Sequence, residues 1–158
     1  NHAVIKGSLF MALGCVMYRL KSVEIGDMRG LGKRMPLTMG AFVVGGFSLI
    51  GVPFTAGFIS KWYLIQAALE QGLWPVAVLI LTASLMAVVY IWKVVEAVYF
   101  SDGSGLQNSE YSEAPMGLLL PTWILAFLCL YFGVFSSPAA VPQTGLLMAF
   151  AKKVQYIH

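Results

Sequence analysis

Gly51-Val52-Pro53-Phe54-Thr55-Ala56-Gly57-Phe58-Ile59-Ser60-Lys61 is the stretch on which the fold turns. It interrupts an apolar run from 37 to 71 that, as one unbroken helix, would measure about 50 Å at the helical rise. A bilayer core is only about 30 Å thick. Pro53 lacks an amide donor and its ring clashes with the preceding turn, while Gly51 and Gly57 leave the backbone unstiffened, so the run is expected to break between Gly51 and Gly57. Lys61 follows one turn later and lies about 15 Å from the end of the run, close to mid-bilayer. Non-helical backbone at that depth survives only inside protein or beside a water-filled cavity, and an ionisable residue there is a functional candidate by default. The alternative for Lys61 is a snorkelling side chain, which from the midplane reaches neither interface easily.

Working outward, the composition is that of a polytopic membrane protein. Hydrophobic residues make up 59% of the 158 residues and charged ones 11%, with a mean hydropathy of +0.80, far from the usage of soluble domains. The predicted fold is all-α: a membrane helix bundle of four spans, at about 3–20, 37–71, 73–100 and 116–135, the second of them broken, with a tail over 138–158. The formal charge of +3 gives no reason to expect nucleic acid as a partner. Cys15 and Cys129 lie in separate apolar helices without ligand spacing and read as buried spectators. No metal site, cofactor site, nucleotide loop or nucleophile elbow is expected.

The chain opens on Asn1-His2 with no methionine and no cleavage signal, and reads as a piece of a longer protein without a signal or transit peptide. His2 and Lys6, four apart in the first span, share a helix face and form a candidate relay pair, against the alternative of two residues at a membrane edge. The segment from Arg19 to Arg34 carries five basic residues against Glu24 and Asp27. It is expected to be a cytoplasmic loop by the positive-inside rule. Pro36 suits the first turn of the next helix, and Gly40, Gly45 and Gly46 mark a face that another helix approaches closely. In the third span, Lys93 and Glu96 stand three apart near the exit and read as an interfacial ion pair. Residues 101–115 read as a flexible polar loop, and the apolar patch 146–150 before Lys152 and Lys153 as a short interfacial helix.

Three motifs, in order, carry a resemblance: Asn1-His2-Ala3-Val4-Ile5-Lys6-Gly7-Ser8-Leu9-Phe10, then Asp27-Met28-Arg29-Gly30-Leu31-Gly32-Lys33-Arg34-Met35-Pro36, then Gly51-Val52-Pro53 through Gly57-Phe58-Ile59-Ser60-Lys61. They resemble the antiporter-like subunits of complex I and of Mrp-type cation/proton antiporters. The resemblance covers essentially the whole chain, but only the C-terminal four helices of a fold of about fourteen. It implies that Lys61 matches the lysine of the family's second discontinuous helix and that Lys6 and His2 match residues of the preceding helix on the same polar axis. It also implies a row of groups that passes protons, and as partners the lipid bilayer, other membrane subunits of such a complex and the missing N-terminal helices.

Lys61-Trp62-Tyr63 and the run through Lys93 and Glu96 look most like the D-type member of the Mrp antiporters, and Gly7-Ser8 departs from the Ala-Leu pair common in complex I members. The leading expectation is a proton-translocating fragment of a multi-subunit Na+/H+ antiporter in the cell membrane, a transporter rather than an enzyme. The alternatives are a membrane-arm subunit of an NADH:quinone oxidoreductase with no redox centre of its own, and a packing bundle that conducts nothing.

Overall fold

The computed structural model describes residues 1–101 and 112–135. The expected interfacial helix at 146–150 and most of the polar loop at 101–115 lie outside those residues. The elements run α1 (His2–Leu20), a 3-10 turn (Leu31–Lys33), α2 (Pro36–Ile50), α3 (Ala56–Glu70), α4 (Trp74–Val95) with a π-helical extension (Glu96–Phe100), and α5 (Met116–Phe135). Among the described residues three helices are long and apolar enough to cross a membrane: α1, α4 with its extension, and α5. The protein is an all-α, multi-pass membrane helix bundle of three or four apolar spans.

Helix α1 packs against both α2 and α5, and α4 lies along α2 and α3. Small residues permit the close approaches. A methyl group on Gly45 would stand 3.2 Å from Leu9 and Ser8 of α1, and one on Gly46 3.0 Å from Ile91 of α4. One apolar cluster, Ile5, Leu9, Ala12, Phe42, Ile91 and Cys129, fills the space between these helices. Cys15 and Cys129 are buried free thiols. The outward faces carry large apolar side chains, among them Leu79, Leu85, Met86, Phe127 and Phe135, as surfaces that meet lipid or other helices do.

The segment after Arg19 is more than a solvated loop. Met28, Leu31 and Met35 are fully buried and join Cys15, Val16, Met39 and Val98 in a second cluster at one end of the bundle. The basic side chains of the segment suggest solvent on sequence alone, but the methionines and leucine between them form a plug. Its neighbour is residue Glu113, whose carboxylate accepts bonds from the Leu37 amide (2.6 Å) and the Thr38 hydroxyl (2.9 Å). The Glu113 carbonyl in turn accepts from Nε (3.0 Å) and Nη2 of Arg19. This clasp ties the C-terminus of α1, the N-terminus of α2 and the entrance to α5.

Candidate ion-handling site around Lys61

The chain leaves helical geometry between Ile50 and Ala56. Gly51 takes a left-handed conformation (φ 90°), and the Val52 amide reaches back to the Phe47 carbonyl at 3.0 Å, a bond that closes a helix through a left-handed residue. Phe54 also has a positive φ, 70°, which is strained for a residue of its bulk. Thr55 turns its hydroxyl onto the Val52 carbonyl at 2.6 Å. Helix α3 has already resumed at Gly57, so this glycine stands outside the non-helical segment. Its function is close approach: a Cβ there would lie 1.7 Å from the Ser48 carbonyl oxygen, in the last turn of α2.

An α-helix ends with carbonyls that find no amide four residues on. For Leu49 the missing donor is residue 53, a proline with no N–H to give. Lys61 supplies the bond. Its ammonium donates to the Leu49 carbonyl at 2.8 Å, to the Ile50 carbonyl at 2.8 Å and to the Ser84 hydroxyl of α4 at 2.8 Å. A cation therefore sits at the negative end of the α2 dipole, where aligned peptide units favour positive charge. The same two carbonyls are acceptors only, so the arrangement holds the amine in place through its own protons.

A half-open groove of about 360 Å³ adjoins this amine, lined by Lys61 together with His2, Ser48, Ser60 and Tyr90 among others. The Ser48 hydroxyl is fully buried and has no hydrogen-bond partner among the described residues. Asn1 closes one side, donating from Nδ2 to Ser60 Oγ (2.8 Å) and to the Ala56 carbonyl (3.3 Å). Lys6 is placed differently. It lines a second groove, of about 270 Å³, with Leu9, Phe42 and Val94. Leu49 and Tyr90 border both grooves. His2 and Lys6 are both exposed on α1, and the structure sends them to adjoining grooves rather than to one.

The ion pair expected of Lys93 and Glu96 does not form: both are exposed, and joining them would take rotamer freedom from two long side chains for a weak surface attraction. Among the described residues no group of His, Cys, Asp and Glu has the makings of a metal site. Sequence reading missed Ser84, Asn1 and Gly133. The last packs directly on the interruption, since a Cβ on Gly133 would stand 2.2 Å from the Phe54 carbonyl oxygen. No local signal marks any of the three, because each matters through a contact far along the chain.

The sequence profile of the NADH:quinone oxidoreductase/Mrp antiporter transmembrane family matches residues 1–87, which include the interruption and Lys61. The chain belongs to this family. Among its relatives is the N subunit of an NADH-quinone oxidoreductase from Desulforudis audaxviator, 35% identical over 86% of this chain and 29% of that protein. A D-type component of a Na+/H+ antiporter from Bacillus subtilis is 28% identical over 83% of this chain and 26% of that protein. The chain thus spans under a third of the length of these relatives.

Of the solved structures, a chain of the membrane-bound sulfane sulfur reductase, an archaeal respiratory membrane complex, superposes with a TM-score of 0.75 at 33% identity, over 84% of this chain and 22% of that one. The Mrp complex from Dietzia shares the fold, with a TM-score of 0.76 at 21% identity over 88% of this chain and 34% of that one. The family spans the antiporter and the membrane-arm expectations alike, and the comparisons favour the membrane-arm alternative.

Proposed function

We propose that this chain is the C-terminal part of a proton-translocating membrane-arm subunit in a complex I-like respiratory assembly, with Lys61 as its protonatable carrier. The observation that carries the reading is the Lys61 ammonium bonded to the last two carbonyls of α2 at a break in the helix. On this reading α2 and α3, each about 22 Å long and too short to cross alone, form one crossing broken between Gly51 and Gly57. The basic segment 19–34 faces the cytoplasm, in line with the positive-inside rule.

Burial in low dielectric disfavours an ammonium, and the dipole and carbonyls of α2 favour it, so a neighbouring charge that comes or goes tips the balance. On this reading His2, which lines the same groove, exchanges that proton through water. The buried Ser48 hydroxyl offers such water a partner, as polar cavities do. Lys6, behind Tyr90 and Leu49, continues the row. On this reading the protein moves protons, and oxidoreduction belongs to its partners.

A second reading, one component of a cation/proton antiporter, is favoured by the likeness to the Bacillus subtilis antiporter protein. Replacing Lys61 with Ala in the full-length protein tests both. Proton flux in vesicles reconstituted with the whole assembly should fall to background while assembly persists, and unchanged flux would overturn the proposal. Sodium-dependent flux from an assembly lacking redox subunits would select the antiporter; co-purification with peripheral redox subunits would select the respiratory arm.

A further inference from the structure

We propose that Ser84 is the hydrogen-bond partner that reverses its direction when Lys61 changes charge. The inference rests on Lys61 being the protonatable carrier and adds a residue that the family likeness does not supply. An ammonium has three donors and no acceptor. Here three acceptors, Leu49 O, Ile50 O and Ser84 Oγ, each lie 2.8 Å from Nζ. The Ser84 hydroxyl spends its own proton on the Ile80 carbonyl, one turn back, at 3.1 Å. Every donor and acceptor is then matched, for the charged amine alone.

A neutral amine keeps two N–H groups and gains a lone pair. The two carbonyls still accept, because they have no other mode. The third contact then needs a donor, and of the three partners only Ser84 has a hydrogen to offer. Rotation about its C–O bond takes that hydrogen from Ile80 O to Nζ with no movement of heavy atoms. The Ile80 carbonyl keeps the amide of residue 84, its regular helical partner. In the step itself an N–H bond breaks and an O–H bond forms on a groove water, the positive charge leaving with the proton. The serine O–H stays whole throughout.

The neighbouring hydroxyls are not equivalent. Ser60 donates to the Ala56 carbonyl at 3.0 Å and accepts from Asn1, and Ser48 has no bonded partner among the described residues. The titratable side chains that line this groove beside Lys61 are His2 from α1 and Tyr90 from α4; Lys6 lies in the adjoining groove, Cys129 of α5 in the apolar cluster between the helices, and α2 carries none. None lies among the three groups bonded to Nζ.

The test uses the full-length protein in its assembly, reconstituted in vesicles, with Ser84→Thr, Ser84→Val and Ser84→Ala beside Lys61→Ala. Threonine and valine share a shape and differ by the hydroxyl, and threonine makes the same bond to the preceding turn. Thr should keep proton flux within about twofold of the parent, while Val and Ala should each lose about tenfold, the effect of one hydrogen bond to a charged group. Flux at the parental level in Val or Ala would overturn the proposal, and so would loss in Thr equal to that in Val, which would assign the effect to packing. If Lys61→Ala is inactive and Val matches Thr, Ser84 alone falls. If Lys61→Ala conducts, the carrier reading falls with it.

Discussion

Helix α2 has no charged residue of its own, yet each of its ends is held by a charged side chain from elsewhere, of the sign that the end prefers. At the N-terminus the Glu113 carboxylate takes the Leu37 amide and the Thr38 hydroxyl; at the C-terminus the Lys61 ammonium takes the Leu49 and Ile50 carbonyls. Both obey the rule that anions suit helix N-termini and cations C-termini. Their surroundings differ. Glu113 lies in a connecting segment beside the basic 19–34 stretch. Lys61 lies in the interrupted apolar run, where an ionic group is expensive to keep and has a function as its usual reason for being there. One clamp therefore reads as fixed architecture and the other as a group whose charge can change, and mutations should separate them.

The largest effect is expected where backbone meets backbone under the Lys61 clamp. Gly57→Ala places a methyl 1.7 Å from the Ser48 carbonyl oxygen, and Gly133→Ala places one 2.2 Å from the Phe54 carbonyl oxygen. Main chain does not swing aside as a side-chain tip does, so each should destabilise the protein by about 3 kcal/mol or more. Gly14→Ala, with nothing within 4 Å, is the control. It should be neutral or stabilising by about 0.5–1 kcal/mol. Thermal unfolding of the purified full-length protein checks the contrast, and a Gly57→Ala variant as stable as Gly14→Ala would show that α3 does not approach α2 so closely.

These two ends also mark how far the sequence can be read. Pro53, Gly51 and a lysine within an apolar run are local signals, so the interruption and its nearest charge are legible without coordinates. So are the long apolar stretches that form α1, α4 and α5. What is not legible depends on pairs far apart in sequence: Glu113 on Thr38, Ser84 on Lys61, Gly133 on Phe54. A carboxylate in a polar connecting segment looks the same whether it caps a helix or meets water. Met28, Leu31 and Met35 escape for a related reason, since basic neighbours outweigh their apolar side chains until α1 and α4 are in place to cover them.

An intermediate effect belongs to the Glu113 clamp. Glu113→Ala removes an acceptor from two donors at the start of α2, and losses of this capping kind run to about 1–2 kcal/mol. Glu113→Gln keeps one amide oxygen and should lose roughly half as much. Proton flux per assembled complex should be unchanged in both, in contrast to Lys61→Ala. A Glu113 variant that assembles normally and has lost flux would erase the distinction between the two ends and make the whole of α2 a coupled element.

The smallest effect should come from Lys93 and Glu96, and it bears on the same comparison because they are the charges that sequence spacing pairs. Both are exposed, and exposed pairs contribute about 0–1 kcal/mol even when they form. With no ion pair between them, Lys93→Ala and Glu96→Ala should each shift stability by no more than about 0.5 kcal/mol. In a double-mutant cycle on thermal stability the two changes should also simply add. A coupling energy above about 1 kcal/mol would mean that the pair forms in the assembled complex. A third charged contact, at the end of α4, would then stand beside the two that hold α2. The physical ground for expecting additivity is that neither side chain is bonded to a helix terminus. Glu113 and Lys61 each relieve backbone groups that would otherwise go unpaired, and it is this, more than charge itself, that makes a polar side chain indispensable in an apolar bundle.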